Sequence, residues 1–144
     1  MTDFESAQLY IVAVTAATEI PPFPDTPEAE FKGVIDVIRN RARIFRKSLV
    51  DVVMAPRQFS AVCRETFWRD AICGKWFPAH VERCYRLLQQ DWSDTTGGAT
   101  HYYSPIGMVP RGSVPSWAGS MVEISIEGVR PNYFRFFIGH KEDV

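Results

Sequence analysis

The sequence predicts an α+β fold in which helices come first and a small antiparallel sheet follows. Three observations predict it. Apolar residues recur at helical spacing in several stretches before Trp92. Thr96-Gly97-Gly98 is a turn signal at which that periodicity ends. Past it come short segments rich in β-branched and aromatic residues, which suit a pleated, half-buried surface.

The first expected helix covers residues 4–19 and is apolar almost all round, through Leu9, Ile11, Val12, Ala13, Val14, Ala16 and Ala17, as a core helix is. Pro21-Pro22 stops it, because proline lacks the amide donor and crowds the preceding turn. A Pro-rich loop, Ile20 to Asp25, leads to Thr26-Pro27-Glu28, where Thr26 is the expected cap, Pro27 the first helical residue and Glu28 a partner for the N-terminal dipole. Helix two should run to about Phe45 on the stripe Phe31, Val34, Ile35, Ile38 and Ala42. Ser48 is placed to cap a short third helix through Met54, ended by Pro56.

Arg57 to Phe77 has no clear period. A further helix is expected from Pro78 to Trp92, with Val81, Cys84, Tyr85, Leu88 and Trp92 as its buried stripe. The expected strands are Ala99 to Ser104, Met121 to Ile126 and Tyr133 to Ile138. Between the first two, Pro105 to Ser120 is rich in Pro, Gly and Ser and reads as a surface loop that presents Trp117.

A chain of 144 residues with 46% hydrophobic and 23% charged residues suits one soluble globular domain, expected to span residues 1–144. A net charge of -1 speaks against nucleic acid as a partner. The charge is uneven, however. Residues 39–57 hold Arg39, Arg41, Arg43, Arg46, Lys47 and Arg57 against Asp51 alone. Cations gather at a helix C-terminus for its dipole alone; a patch that attracts an anionic polymer is the alternative.

Met1-Thr2-Asp3-Phe4-Glu5 has none of the features of a secretory signal, and no apolar run is long enough to cross a bilayer. Synthesis in the cytoplasm without membrane insertion is therefore expected. Cys63, Cys73 and Cys84 are an odd set without C-x-x-C spacing or clustered histidines, so a metal site is not expected and buried or free thiols are. A Cys63–Cys73 bridge would matter only outside the cytosol.

The common catalytic signatures are missing: there is no G-x-S-x-G elbow, no phosphate-cradling Gly loop and no H-E-x-x-H. His80, His101 and His140 are too far apart for a local metal motif. Cys63 or Cys73 paired with His101 is an open arrangement for nucleophilic catalysis. Glu19 is distinctive, because it ends an apolar helix. Burial and the negative pole of the helix both favour its protonated form, which is what a glycosidase needs to donate a proton to a leaving oxygen. The plainer reading of the same residue is a solvated carboxylate at a helix end.

Four segments, in order and at similar spacing, favour the catalytic reading of Glu19. They are Val12 to Glu19; Val34 to Arg41, closing on Asn40-Arg41; Pro56-Arg57-Gln58-Phe59-Ser60; and Thr96-Gly97-Gly98-Ala99-Thr100-His101-Tyr102-Tyr103 with Pro115-Ser116-Trp117-Ala118. Together they resemble the SleB-like cell wall hydrolases, the spore-cortex-lytic type, over roughly residues 8–122. The resemblance implies a lysozyme-like fold that cleaves peptidoglycan glycan strands between N-acetylmuramic acid and N-acetylglucosamine, without metal or cofactor.

It also implies Glu19 as the single catalytic acid, in the manner of a lytic transglycosylase. Gln58, Ser60, Thr100, His101, Tyr102 and Trp117 are the expected sugar-groove residues, with amide, hydroxyl and imidazole groups for sugar hydroxyls and aromatic faces for rings. A classical two-carboxylate hydrolase would draw its second acid from Asp25, Glu28 or Glu30. Phe59 and Tyr103 are expected in the core.

The chain departs from the family where Glu-Ala-Arg-Gly-Glu is usual. It reads Glu19-Ile20-Pro21-Pro22-Phe23 there, and Tyr103 stands where close relatives often carry histidine. The altered turn supports a rival expectation, a non-catalytic component of a phage or gene-transfer particle that grips peptidoglycan. Peptidoglycan lies outside the cytoplasmic membrane, so an enzyme without a signal is expected to be a phage endolysin or a lysin carried in a virion, with particle proteins as partners.

Overall fold

A computed structural model describes residues 1–55, 74–108 and 110–139. The Pro56 to Ser60 motif, Cys63, Cys73 and His140 lie outside the described residues. Among those described there are four α-helices, α1 (Asp3–Thr18), α2 (Glu28–Phe45), α3 (Leu49–Met54) and α4 (Phe77–Gln89), and three strands, β1 (His101–Tyr103), β2 (Val122–Ile124) and β3 (Arg135–Ile138). This is the α+β arrangement that the sequence predicts. The Pro105 to Ser120 loop is shaped by two short 3₁₀ turns, Pro105–Gly107 and Ala118–Ser120.

Local chemistry sets most of the helix ends. Thr2 and Glu5 form a reciprocal capping box at the start of α1, at 3.1 and 3.2 Å, and the Ser48 hydroxyl accepts the Asp51 N–H at 3.1 Å to cap α3. Arg46 closes α2 in the left-handed region at φ 54°. Thr26 does not cap α2. Pro27 is the cap residue, and the Thr26 hydroxyl donates to the Phe23 carbonyl at 3.2 Å, tightening the preceding loop instead. α4 stops at Gln89, short of the expected Trp92, because the Trp92 indole N–H donates to Asp36 on α2.

α1 is enclosed only in its second half. Val12 to Ala17 are buried, packed chiefly against α4 and α3, whereas Phe4, Tyr10 and Ile11 are exposed. Its all-round apolar sequence therefore exceeds what its neighbours cover. α2 is the centre of the core. Its Val34, Val37 and Ile38 meet Val12, Ala13 and Ala16 of α1, Val53 of α3 and Val81, Cys84 and Leu88 of α4 in one buried cluster. Burial pushes the Cys84 thiol up to about 12, so it behaves as a small core hydrophobe.

The sheet has the order β1-β3-β2 and is antiparallel throughout, with Tyr102 opposite Phe136 and Glu123 opposite Phe137. Side chains alternate between its faces. Tyr102 and Phe136 face the helices, with ring centroids 5.9 Å apart, together with Phe134. Tyr103 and Phe137 stack on the other face at 5.8 Å, against Trp117 and Met121.

Two contacts near the start of α2 join it to β3 and the segment before that strand. Glu30, fully buried in the first turn of α2, accepts from Arg130 Nε at 2.9 Å, Nη2 at 3.0 Å and backbone N–H at 2.9 Å. Gly33, one turn on, lets the Phe136 ring lie directly on the α2 backbone: a Cβ at this position would stand 2.4 Å from Phe136 Cζ. Gly33→Ala should therefore destabilise the protein by roughly 1–3 kcal/mol through overpacking, against a helix-propensity gain of about 1 kcal/mol. Urea unfolding of the variant is the check; an unchanged or raised midpoint would mean that the ring moves aside freely.

Candidate active site

The polar face of α2 organises the segment that leads into β1. Asp36, fully buried, accepts from Trp92 Nε1 at 2.9 Å, Thr95 N–H at 2.9 Å and Thr95 Oγ1 at 2.7 Å, and pairs with Lys32 at 3.2 Å. One turn further, the buried Asn40 amide donates to the Ala99 carbonyl at 2.9 Å and lies 3.2 Å from Asp94 Oδ2. Arg41, also buried, donates from Nε to the Thr100 carbonyl at 2.6 Å.

Asp94 completes the turn from within. It accepts from Thr96 N–H at 2.8 Å, Thr96 Oγ1 at 2.7 Å and Gly98 N–H at 2.8 Å, while Gly97 and Gly98 take positive φ of 67° and 100°. Burial opposes the charge of Asp94, but these hydrogen bonds outweigh it and hold the carboxyl below its usual range. Asn40-Arg41 and Thr96 to Thr100, two separate signals in the sequence, are thus the two halves of one joint.

β1 follows directly. Thr100 is buried, and its hydroxyl accepts the Gly139 N–H at 2.9 Å and shares a 2.9 Å hydrogen bond with His101 Nδ1. His101 is nearly buried, with its ring 5.0 Å from that of Trp117, which is half-buried and packs edge-on to Phe137 at 5.3 Å. Strand alternation sends Tyr102 the other way. His101 and Trp117 therefore lie on one face of the sheet and Tyr102 on the helix-facing side, so these three do not share one wall.

Glu19 is the residue that closes α1, at φ -84° and ψ -7°, half-buried, with its N–H donated to the Ala16 carbonyl at 3.1 Å. Its charge reaches Tyr102. Burial first, and then the Glu19 carboxylate, raise the Tyr102 hydroxyl well above the usual phenol range, while the Arg41 cation acts in the opposite direction. Glu19, Tyr102 and Arg41 thus form an electrostatic cluster where α1, α2 and β1 meet. A phenol so held stays protonated and can donate a hydrogen bond. Gln58 and Ser60 lie outside the described residues.

The loop after Glu19 is tied down by a residue that the sequence did not single out for the site. His80 of α4 is buried, packs edge-on to Phe31 at 4.9 Å and donates from Nε2 to the Pro21 carbonyl at 3.2 Å. Burial lowers its pKa, the Arg83 cation lowers it further, and the Pro21 carbonyl opposes both. Asp36 and Asp94 also lay outside the sequence-derived site. Asp94 carried a local signal, an aspartate two residues before Thr96-Gly97-Gly98 in an Asx-type turn; Asp36 carried none. Among the described residues no group of three His, Cys, Asp or Glu side chains is placed to hold a metal ion.

The family model described as Cell Wall Hydrolase matches residues 26–130. The chain belongs to the cell wall hydrolase family. The match takes in Asn40-Arg41, the Asp94 turn, β1 and Trp117, and begins after Glu19. Membership supports breakdown of peptidoglycan as the function of this cell wall hydrolase. No curated protein and no solved structure matches the chain.

Two outcomes follow from the joint and its neighbour. Asn40→Ala leaves the Ala99 carbonyl buried without its donor, at a cost of roughly 1–3 kcal/mol, measurable by denaturant unfolding; no loss would mean that water replaces the amide. His80, with its folded-state pKa depressed, gives stability that is complete above about pH 6.5 and declines as the pH falls through and below that value, because the unfolded state takes up the proton first. His80→Gln should flatten the decline that begins below about pH 6.5 in thermal melts, leaving the separate acid limb below about pH 4 where Asp94 is protonated. An unchanged slope between those values would exclude His80 as its source.

Proposed function

We propose that this cell wall hydrolase is a SleB-like glycosidase with a lysozyme-like catalytic arrangement, cutting the bond from N-acetylmuramic acid to N-acetylglucosamine with Glu19 as its acid. The observation that carries the reading is the position of Glu19, half-buried where it closes α1, in a chain whose family match takes in the Thr-Gly-Gly-Ala-Thr-His-Tyr strand. A half-buried carboxyl at a helix end keeps an exposed edge from which a proton can be handed to a leaving oxygen.

In this mechanism the Glu19 carboxyl gives its proton to the glycosidic oxygen as the bond to muramic C1 breaks. The C6 hydroxyl oxygen then attacks C1, and its proton returns to Glu19, closing a 1,6-anhydro ring. One carboxyl suffices for both steps, so no second acid across the bond is needed. The protonated Tyr102 hydroxyl donates a hydrogen bond beside the carboxylate, and Arg41 balances its charge. Gln58 and Ser60 are proposed to contact the sugar. Thr100 acts through the strand it anchors, and His101 with Trp117 supports the opposite face of that strand, Trp117 offering its half-exposed ring to the glycan.

The second reading is a protein that grips peptidoglycan without cutting it. It draws on the Ile20-Pro21-Pro22 sequence after Glu19 and on the start of the family match beyond that residue. Digestion of purified peptidoglycan by wild type and Glu19→Gln, with released sugars identified by mass spectrometry, separates the two. The expected result is 1,6-anhydro-muramic ends from wild type and at least a hundredfold less product from the variant, in line with the 10²–10⁴-fold typical of general acid–base catalysis. Reducing ends would mean hydrolysis. Sedimentation with insoluble peptidoglycan and no release would support the gripping role, and equal activity in the variant would remove Glu19 from the chemistry.

A further inference from the structure

The last turns of α2 carry a row of cations that the Glu19 cluster does not use. Arg39 and Arg43 stand one turn apart and share one stripe, which Arg46, the left-handed residue that closes the helix, and Lys47 extend in sequence. Arg41 points away from that stripe, to Thr100. Arg43, Arg46 and Lys47 are exposed and Arg39 is half-buried. The ion pairs among the described residues are Lys32–Asp36, Arg130 with Asp25 and Glu30, and Arg135–Glu123, so none of the four stripe cations is paired with a carboxylate there.

Two features separate this row from charges that merely complement a helix end. The dipole acts only within the last turn, which includes Arg43 but not Arg39. In addition, the row is built around an aromatic ring. The guanidinium carbons of Arg39 and Arg43 lie 5.8 and 5.7 Å from the Trp92 centroid. The indole is anchored to Asp36 at 2.9 Å, and Arg39 donates to the Leu88 carbonyl at 2.8 Å. Two like charges one turn apart, which repel, are thereby held in place by α4 and the segment after it. A net charge of -1 shows that the concentration is local and not a sample of a generally basic surface.

We propose that this row is an accessory site for a polyanion carrying regularly spaced phosphodiester groups. Guanidinium groups bind phosphate oxygens through paired N–H donors, and stripe neighbours on a helix stand about 5–6 Å apart, so successive arginines meet successive phosphates of a flexible chain. The site would hold the protein against such a polymer, and it does not depend on which residue is the catalytic acid.

The test uses the full chain and linear poly(glycerol phosphate) as the probe, with Arg43→Gln/Arg46→Gln/Lys47→Gln as the variant; Arg39 is kept because it also bonds α4. Wild type is expected to bind with an affinity that falls steeply with salt. The triple variant should bind at least tenfold more weakly with a shallower salt dependence, at an unchanged melting temperature, because fewer counterions are released. Arg43→Lys/Arg46→Lys, which keeps the charge, should recover part of the loss. Equal affinity of wild type and triple variant, or no binding at low salt, would overturn the proposal. Tighter binding to phosphatidylglycerol vesicles than to the polymer at matched phosphate would also overturn it, assigning the row to a lipid surface.

Discussion

The fold depends on one constraint: the buried polar groups of α2 must find partners, and for Asp36, Asn40 and Arg41 the segment from Trp92 to Thr100 supplies them. Asp36, Asn40 and Arg41 are packed in a helix that also carries much of the apolar core. Leaving a carboxylate, an amide and a guanidinium there without partners would cost far more than a domain of this size can spare. Each instead bonds the backbone or side chains of the turn before β1. The same bonds that satisfy the helix fix where the strand starts, and hence the register of the sheet.

The Glu30–Arg130 ion pair and the Gly33–Phe136 contact extend this joint toward the helix N-terminus. α2 thus carries, within about three turns, a series of polar tethers between the helices and the far end of the chain. Such a spine places Tyr102 on the helix side of β1, beside the end of α1. It explains physically why Asn-Arg and Thr-Gly-Gly-Ala-Thr occur together in a cell wall hydrolase: they are complementary surfaces whose product is the position of the next side chain.

Sheet alternation then divides the aromatic residues. Tyr102 joins the main core and the Glu19 cluster, while His101, Tyr103, Phe137 and Trp117 make a second, smaller core on the outer face. The outer cluster stiffens a three-stranded sheet whose strands are only three or four residues long, too short to be stable on their own. β1 in this way joins the Glu19 cluster on one face to the Trp117 loop on the other.

The sequence by itself determined the helices, the Ser48 cap, the strands to within two residues and the α+β order, because period, caps and turn residues act over a few neighbours. It also singled out Glu19 and the segments that meet α2. The tertiary structure decided the rest. It moved Trp92 out of α4, left half of α1 uncovered, turned Thr26 toward its own loop and sent His101 and Tyr102 to opposite faces. It also recruited Asp36 and His80, whose partners lie 56 to 59 residues away in the chain. No local pattern encodes such pairings, since each follows from which buried polar group the packed core brings within hydrogen-bonding distance.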